Sequence, residues 1–191
     1  MINIVIFGPP GAGKGTQAKI LADKYHLVHL STGDILRAEI AARTESGLRA
    51  KEIMDRGELV SDQIVIDMLA SKLESDARGY IFDGFPRTIA QAEALDELMD
   101  TYNTSITLML SLEVPEIELI TRIFIRGKDS GRPDDRNEDV IRNRIVQYNR
   151  KTAPLIGYYS GQGKHYSITG TGGIEEINQR LCQAIESGIH A

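Results

Sequence analysis

An apolar run at positions 2–7, INIVIF, passes without a break into GPPGAGKGTQ at 8–17. This junction constrains the fold more than any other stretch of the chain. A nearly continuous apolar run fits a strand buried on both faces, as in a parallel sheet. The glycine-rich turn follows, and then a helical pattern with Ala18, Leu21 and Ala22 along one side. Strand, turn, helix is the context of a phosphate-binding loop, G-x-x-x-x-G-K-[ST]. Gly8, Gly13 and Lys14 fit, but Gly15 stands where Ser or Thr is expected and the hydroxyl comes one place late, at Thr16. In such a loop, glycines let backbone N–H groups face a phosphate closely, the helix N-terminus adds positive potential, and the lysine adds a point charge. The alternative is a glycine-rich turn with no ligand, which the density of Gly, Pro and Lys after a buried strand disfavours.

The alternation continues along the chain. Further strands are expected at 27–30, 80–83, 106–112 and 166–168. Helices are expected at 14–25, 34–42, 48–56, 61–73, 89–99, from Pro115 to 126, at 137–151 with Pro154 interrupting, and at 174–187. Alternating strands and helices build parallel βαβ units. The expected fold class is therefore α/β, a doubly wound five-stranded parallel sheet with helices on both faces. A chain of 191 residues suits one such domain. Two stretches break the regularity. Residues 31–79 are more than one crossover needs, and the polar GKDSGRPDD at 127–135 lies between two helices; both are expected to be mobile inserts on a rigid core.

Composition narrows the function classes. The net charge of −5 and the lack of Trp argue against a nucleic-acid partner, which would call for a basic surface and a stacking platform. No run approaches the ~18 apolar residues of a membrane span. The N-terminus lacks the basic region of a signal peptide, so a cytoplasmic location is expected. The single cysteine, Cys182, reads as a core thiol on a helix and leaves no cysteine cluster for zinc.

Asp83 ends an apolar strand in YIFDG, the placement of a carboxylate that serves a metal in phosphoryl-transfer enzymes. Arg37, Arg87, Arg122, Arg126, Arg132 and Arg144 are spread through helices and loops. Arg144 falls inside the apolar stripe of Val140, Ile141, Ile145 and Tyr148, where a cation needs an anionic partner; Arg142 points the other way. Arg122 and Arg126 share a helix face and repel unless an anion lies between them. A kinase acting on an alcohol needs a general base. A kinase acting on a phosphate does not, because its acceptor oxygen is already ionised. Many arginines and no evident base point to a phosphate acceptor, although Asp34 or His29 could be proposed as a base; His29, inside LVHL, reads first as a core or edge residue.

GPPGAGKGTQ at 8–17, HLSTGDILR at 29–37, GELVSD at 57–62, DGFPRTIAQAE at 83–93, RGKDSGRPDD at 126–135 and TAPLIGYY at 152–159 together resemble the adenylate kinases in their short-lid form, over essentially the whole chain. The resemblance implies a single kinase domain with core 1–30, 61–126 and 137–191, an AMP-binding insert at 31–60 and a short lid at 127–136. It implies ATP-phosphate contacts from Gly11, Ala12, Gly13, Lys14, Gly15 and Thr16, with Lys14 the main catalytic cation. Arg122 and Arg126 resemble the ATP-side arginines, Gly172 a backbone contact to the ATP adenine, and Arg132 and Arg144 a pair that bridges both nucleotides. The AMP site would be formed by Thr32, Arg37, Glu58, Leu59, Val60, Gly84, Phe85, Pro86, Arg87 and Gln91, with Gln91 reading adenine. Asp83 would hold hydrated Mg²⁺, brought as MgATP, through water.

The implied partners are ATP, AMP and ADP, and a monomer is the implied state. Long-lid relatives carry a larger insert, sometimes with a zinc site; this chain carries neither. Two adjacent residues, Arg136 and Asn137, depart from the pattern by adding a position before the helix of Arg144. UMP/CMP kinases are the same-family alternative, but Thr32 and Gln91 favour AMP. A nucleotide-binding switch or ATPase module acting on a protein is the alternative from another class.

Overall fold

A computed structural model of the chain describes residues 1–74, 76–129 and 135–189. Its elements run β1 (Ile2–Phe7), α1 (Lys14–Tyr25), β2 (Val28–Ser31), α2 (Thr32–Ala41), α3 (Glu45–Asp55), α4 (Asp62–Ala70) and β3 (Gly79–Asp83). They continue with α5 (Ile89–Thr101), β4 (Leu108–Glu113), α6 (Glu116–Asp129), α7 (Glu138–Gln147), a π-helical turn (Tyr148–Thr152), α8 (Leu155–Gly161), β5 (His165–Thr169) and α9 (Ile174–Ile189).

The five strands form one sheet in the order β2-β3-β1-β4-β5, every neighbouring pair parallel. Side chains alternate across the strands, and in β1, β3 and β4 both sets are mainly apolar and buried, so the middle of the sheet is covered on both faces. Ile4, Ile6, Leu108 and Leu110 face α1 and α9, packing on Leu21, Leu181 and Ile185. Val5, Phe7, Tyr80 and Phe82 face the other way, onto Leu69 of α4, Leu95 of α5 and Tyr159 of α8. Most of these side chains are fully buried, and each contributes about 2 kcal/mol of apolar transfer. This is the doubly wound α/β arrangement that the alternation predicts.

The register aligns the strand ends that matter. Ile6 lies opposite Asp83, and Ser31 lies opposite Asp83 on the other side. The carboxyl ends of β1, β2 and β3 therefore open together, and in sheets of this kind ligands bind there.

Element bounds differ from the sequence expectation by up to three residues, as at the start of α3 and the end of α4, and three differences have a local cause. The fourth strand starts at Leu108 rather than 106, because the residues before it are tied to Asn3. Its side-chain amide donates to Thr104 Oγ1 and to the Ser105 carbonyl, and its backbone N–H donates to Thr107 Oγ1. The helix expected at 137–151 is α-helical to Gln147 and then widens to a π turn. Beyond Pro154 the chain does not stop but builds α8, whose Leu155 and Tyr159 are buried. Pro154 sits before the first helical residue, where its missing N–H costs nothing.

Candidate active site

β1 delivers the chain into the glycine-rich loop. Gly11 adopts φ +85, and a Cβ there would lie 2.8 Å from the Leu119 carbonyl oxygen and 2.9 Å from Ile123 Cγ1. The loop thus packs directly on α6, and only glycine fits. Gly13 caps α1 in the left-handed region, with no side chain bonded to the cap and no acidic residue in the first turn. The positive end of α1 is left facing the cleft.

Lys14 opens α1 and folds back over the loop, donating to the Gly8 carbonyl at 2.7 Å and the Pro9 carbonyl at 2.9 Å. Burial pushes its ammonium down to about 7; the Asp83 carboxylate opposes this, and Arg87, Arg144 and Arg126 add to it. A phosphate brought beside Lys14 favours the charged form. ATP binding at about pH 8, roughly one unit above the Lys14 value, is therefore expected to take up most of a proton, and at about pH 6 almost none. Calorimetry in buffers of different ionisation enthalpy measures this, and Lys14→Arg should abolish the uptake.

Asp83 ends β3 and is 8% exposed. A Cβ on Gly15 would lie 3.2 Å from Asp83 Oδ2. Gly15 is what lets the carboxylate stand against the first turn of α1, in space that a Ser or Thr side chain would contest. On the other side, His29 Nε2 is 3.5 Å from the same oxygen. Among the described residues no three His, Cys, Asp or Glu side chains gather as a metal cage. One carboxylate beside the glycine-rich loop fits Mg²⁺, which keeps most of its waters and binds chiefly through substrate phosphates.

A single cleft joins Lys14 to Thr32, Gly33, Arg37, Glu58, Leu59, Val60, Gly84, Phe85, Pro86, Arg87, Gln91 and Arg144. The structure thus brings together every residue expected at the monophosphate end except Arg132. Thr32 begins α2 and donates to the Gly84 carbonyl at 2.9 Å, fixing the α2 start to the turn after β3. Phe85–Pro86 is a cis peptide, and Arg87 Nε returns to the Gly84 carbonyl at 2.7 Å. Thr152 of the π turn holds the Arg87 carbonyl at 2.9 Å. Asp34, weighed above as a base, is paired with Arg37, and His29 faces Asp83.

Arg144 does have an anionic partner: its Nη1 lies 2.7 Å from Asp135 Oδ1. Arg126 grips the same carboxylate with Nε at 2.6 Å and Nη2 at 2.9 Å. Arg122 pairs instead with Glu118 and donates to the Gly170 carbonyl at 3.0 Å. The two arginines of α6 are thus separated by two carboxylates, one each, rather than by one shared anion. Arg142 points to solvent and pairs with Glu138.

Asp135 is fully buried and was missed in the sequence, although it closes the quoted RGKDSGRPDD segment. Burial alone raises a carboxyl, but Arg126 and Arg144 outweigh it and hold Asp135 below the usual carboxylate range. A depressed folded-state value stabilises the protein above the unfolded carboxylate value and loses that contribution as pH falls through the folded one. Asp135→Asn is therefore expected to cost about 2 kcal/mol at neutral pH, moderated because both arginines keep solvent contact. The gap to wild type should close on acidification below about pH 4, as followed by thermal unfolding across pH.

Arg122 and Gly172 are not among the residues that line this cleft. Arg122 Nη1 is 3.5 Å from the Ala12 carbonyl, and Gly172 takes φ +105 just before α9. Thr16 is exposed on α1. Arg132, and with it residues 130–134 of the expected lid, lies outside the described residues.

A parallel sheet of this order, with a lysine-bearing glycine loop at its carboxyl edge and an arginine-lined cleft beside it, defines the class: a phosphotransferase of the nucleoside monophosphate kinase type. The family profile described as adenylate kinase matches residues 6–164. The chain is 51% identical over 189 residues to the adenylate kinase of Bacteroides fragilis, covering 98% of this chain and all of that one. It is 50% identical to the adenylate kinase of Flavobacterium johnsoniae at the same coverage, and 50% identical to that of Caulobacter vibrioides over 97% of both chains. The chain belongs to the adenylate kinase family. These likenesses favour the adenylate reading over a UMP/CMP kinase.

Proposed function

We propose that this chain transfers the terminal phosphoryl group of MgATP to AMP, reversibly, to give two ADP. The observation that supports this most is the continuous cleft that joins Lys14 and the phosphate loop to Arg87, Arg144 and the pocket of Val60 and Gln91. Two polyanions must be held in line, and the acceptor oxygen is ionised before it reacts, so the protein positions and offsets charge rather than moving a proton. The backbone of Gly11 to Gly15 and the Thr16 hydroxyl hold the donor phosphates, with Arg122, Arg126 and Gly172 on the adenine side. Thr32, Arg37, Glu58, Leu59 and Gly84 to Arg87 hold AMP.

Lys14, Arg87, Arg132 and Arg144 stabilise charge on the group in flight. Asp83 would hold Mg²⁺ through water, and the ion, brought as MgATP, would supply charge neutralisation on the ATP phosphates. Residues 31–60 serve as the AMP-binding insert, and residues 127–136 as the short lid whose closure excludes water. We place the enzyme in the cytoplasm as a monomer, independent of nucleic acid and membrane. Among the described residues no helix is long and apolar enough to cross a bilayer.

The test is an acceptor panel. With saturating MgATP, AMP should give ADP in twofold stoichiometry, far ahead of UMP, CMP and GMP. Preference for UMP or CMP would overturn the substrate reading, and ATP hydrolysis without any acceptor dependence would overturn the transferase reading.

A further inference from the structure

Asp62 is the first residue of α4 and faces the loop that leads into α5. Its Oδ1 accepts a side-chain N–H of Gln91 at 2.7 Å, and its Oδ2 accepts the Thr88 hydroxyl at 3.2 Å. The Gln91 carboxamide is also held at its other end, where Oε1 accepts the backbone N–H of Arg87 at 2.7 Å. Gln91 is 2% exposed yet lines the cleft.

A carboxylate can only accept a hydrogen bond, and a backbone N–H can only donate one. The carboxamide therefore has one workable orientation. Flipped, it would set an N–H against the Arg87 N–H and a carbonyl oxygen against the Asp62 carboxylate. Each partner uses one valence, which leaves one N–H and one oxygen lone pair for a ligand. Adenine presents an amino donor at C6 beside an acceptor at N1, the complement of that pair. A 6-oxopurine reverses the order, with an acceptor at C6 and a donor at N1. A carboxamide free to flip would serve either base; a carboxamide locked from both ends serves one.

We propose that Asp62 is a specificity-determining positioning residue. By fixing the orientation of Gln91 it makes the cleft accept a 6-aminopurine monophosphate and refuse a 6-oxopurine one. This rests on Gln91 being the contact to the acceptor base. The hydrogen bonds described for Asp62 go to Thr88 and Gln91, so its influence falls on acceptor recognition. A buried site built for one hydrogen-bond pattern discriminates strongly, because the wrong base leaves its polar groups unpaired.

The experiment compares AMP with IMP, which differ in this edge alone, at saturating MgATP. Wild type, Asp62→Ala, Asp62→Asn, Gln91→Leu and the Asp62→Ala/Gln91→Leu double variant are measured. Asp62→Ala should lower the AMP-over-IMP ratio of kcat/KM about tenfold, through a raised KM for AMP, while the KM for ATP stays put. Asp62→Asn, whose side-chain oxygen still accepts from Gln91, should recover most of the preference. In the Gln91→Leu background, Asp62→Ala should change the ratio no further. If Asp62→Ala keeps the ratio while Gln91→Leu collapses it, the positioning role of Asp62 is overturned alone. An equal loss toward AMP, IMP and ATP would also overturn it, reducing Asp62 to a helix-start residue. If Gln91→Leu leaves the KM for AMP unchanged, the base-contact reading fails first and takes the inference with it.

Discussion

Lys14→Met is expected to lower kcat about a thousandfold, at the upper end of what one preorganised donor aimed at developing charge contributes. The side chain starts at the first residue of α1, crosses the loop, and lies in the same cleft as Arg87 and Arg144. In the nucleotide-free protein its ammonium donates to the Gly8 and Pro9 carbonyls, bonds that methionine cannot make, so the fold of the variant is measured beside its rate. The loss should fall on kcat and kcat/KM for both substrates, the pattern of an interaction made in the transition state. Coupled ADP formation measures the rate, and circular dichroism checks the fold. A variant within tenfold of wild type would remove Lys14 from the chemistry.

Arg144→Ala is expected to lower turnover by a further large factor, about a hundredfold. Arg144 projects from α7 between the cleft and Asp135, with a side chain about a fifth exposed. Alanine removes a cation from the cleft and, among the described residues, leaves Asp135 paired with Arg126. Arg144→Lys should recover only part of the rate, because an ammonium cannot reproduce the planar fork of a guanidinium. Equal recovery by lysine would mean that Arg144 acts as a point charge only. Unchanged turnover in the alanine variant would confine it to supporting Asp135.

Much of the site was legible because it sits on short, strongly patterned segments. Gly8, Gly13 and Lys14 follow a buried strand, and Asp83 ends another, so sequence spacing alone set them at the same edge of a parallel sheet. The position of Arg144 inside an apolar stripe signalled that it needs an anion. That this anion is Asp135, nine residues earlier, could not be read, because the packing of α6 on α7, Ile123 against Ile141 and Ile145, fixes the approach in three dimensions. Asp62 was hidden for the same reason. An acid at the first turn of a helix is ordinary, and its bond to Gln91 spans 29 positions. The π turn and α8 were missed because Pro154 reads as a break whether a helix ends or begins there.

The sequence by itself determined the alternation and the glycine-rich turn between β1 and α1, since periodicity and glycine spacing are local properties. Tertiary structure decided which charges meet. It placed Asp83 in the space that Gly15 leaves open, joined Arg126 and Arg144 through one buried carboxylate, and locked Gln91 between Asp62 and the Arg87 backbone. Such pairings depend on strand register and helix approach, where a shift of an ångström or two breaks a hydrogen bond, and no local pattern carries that information.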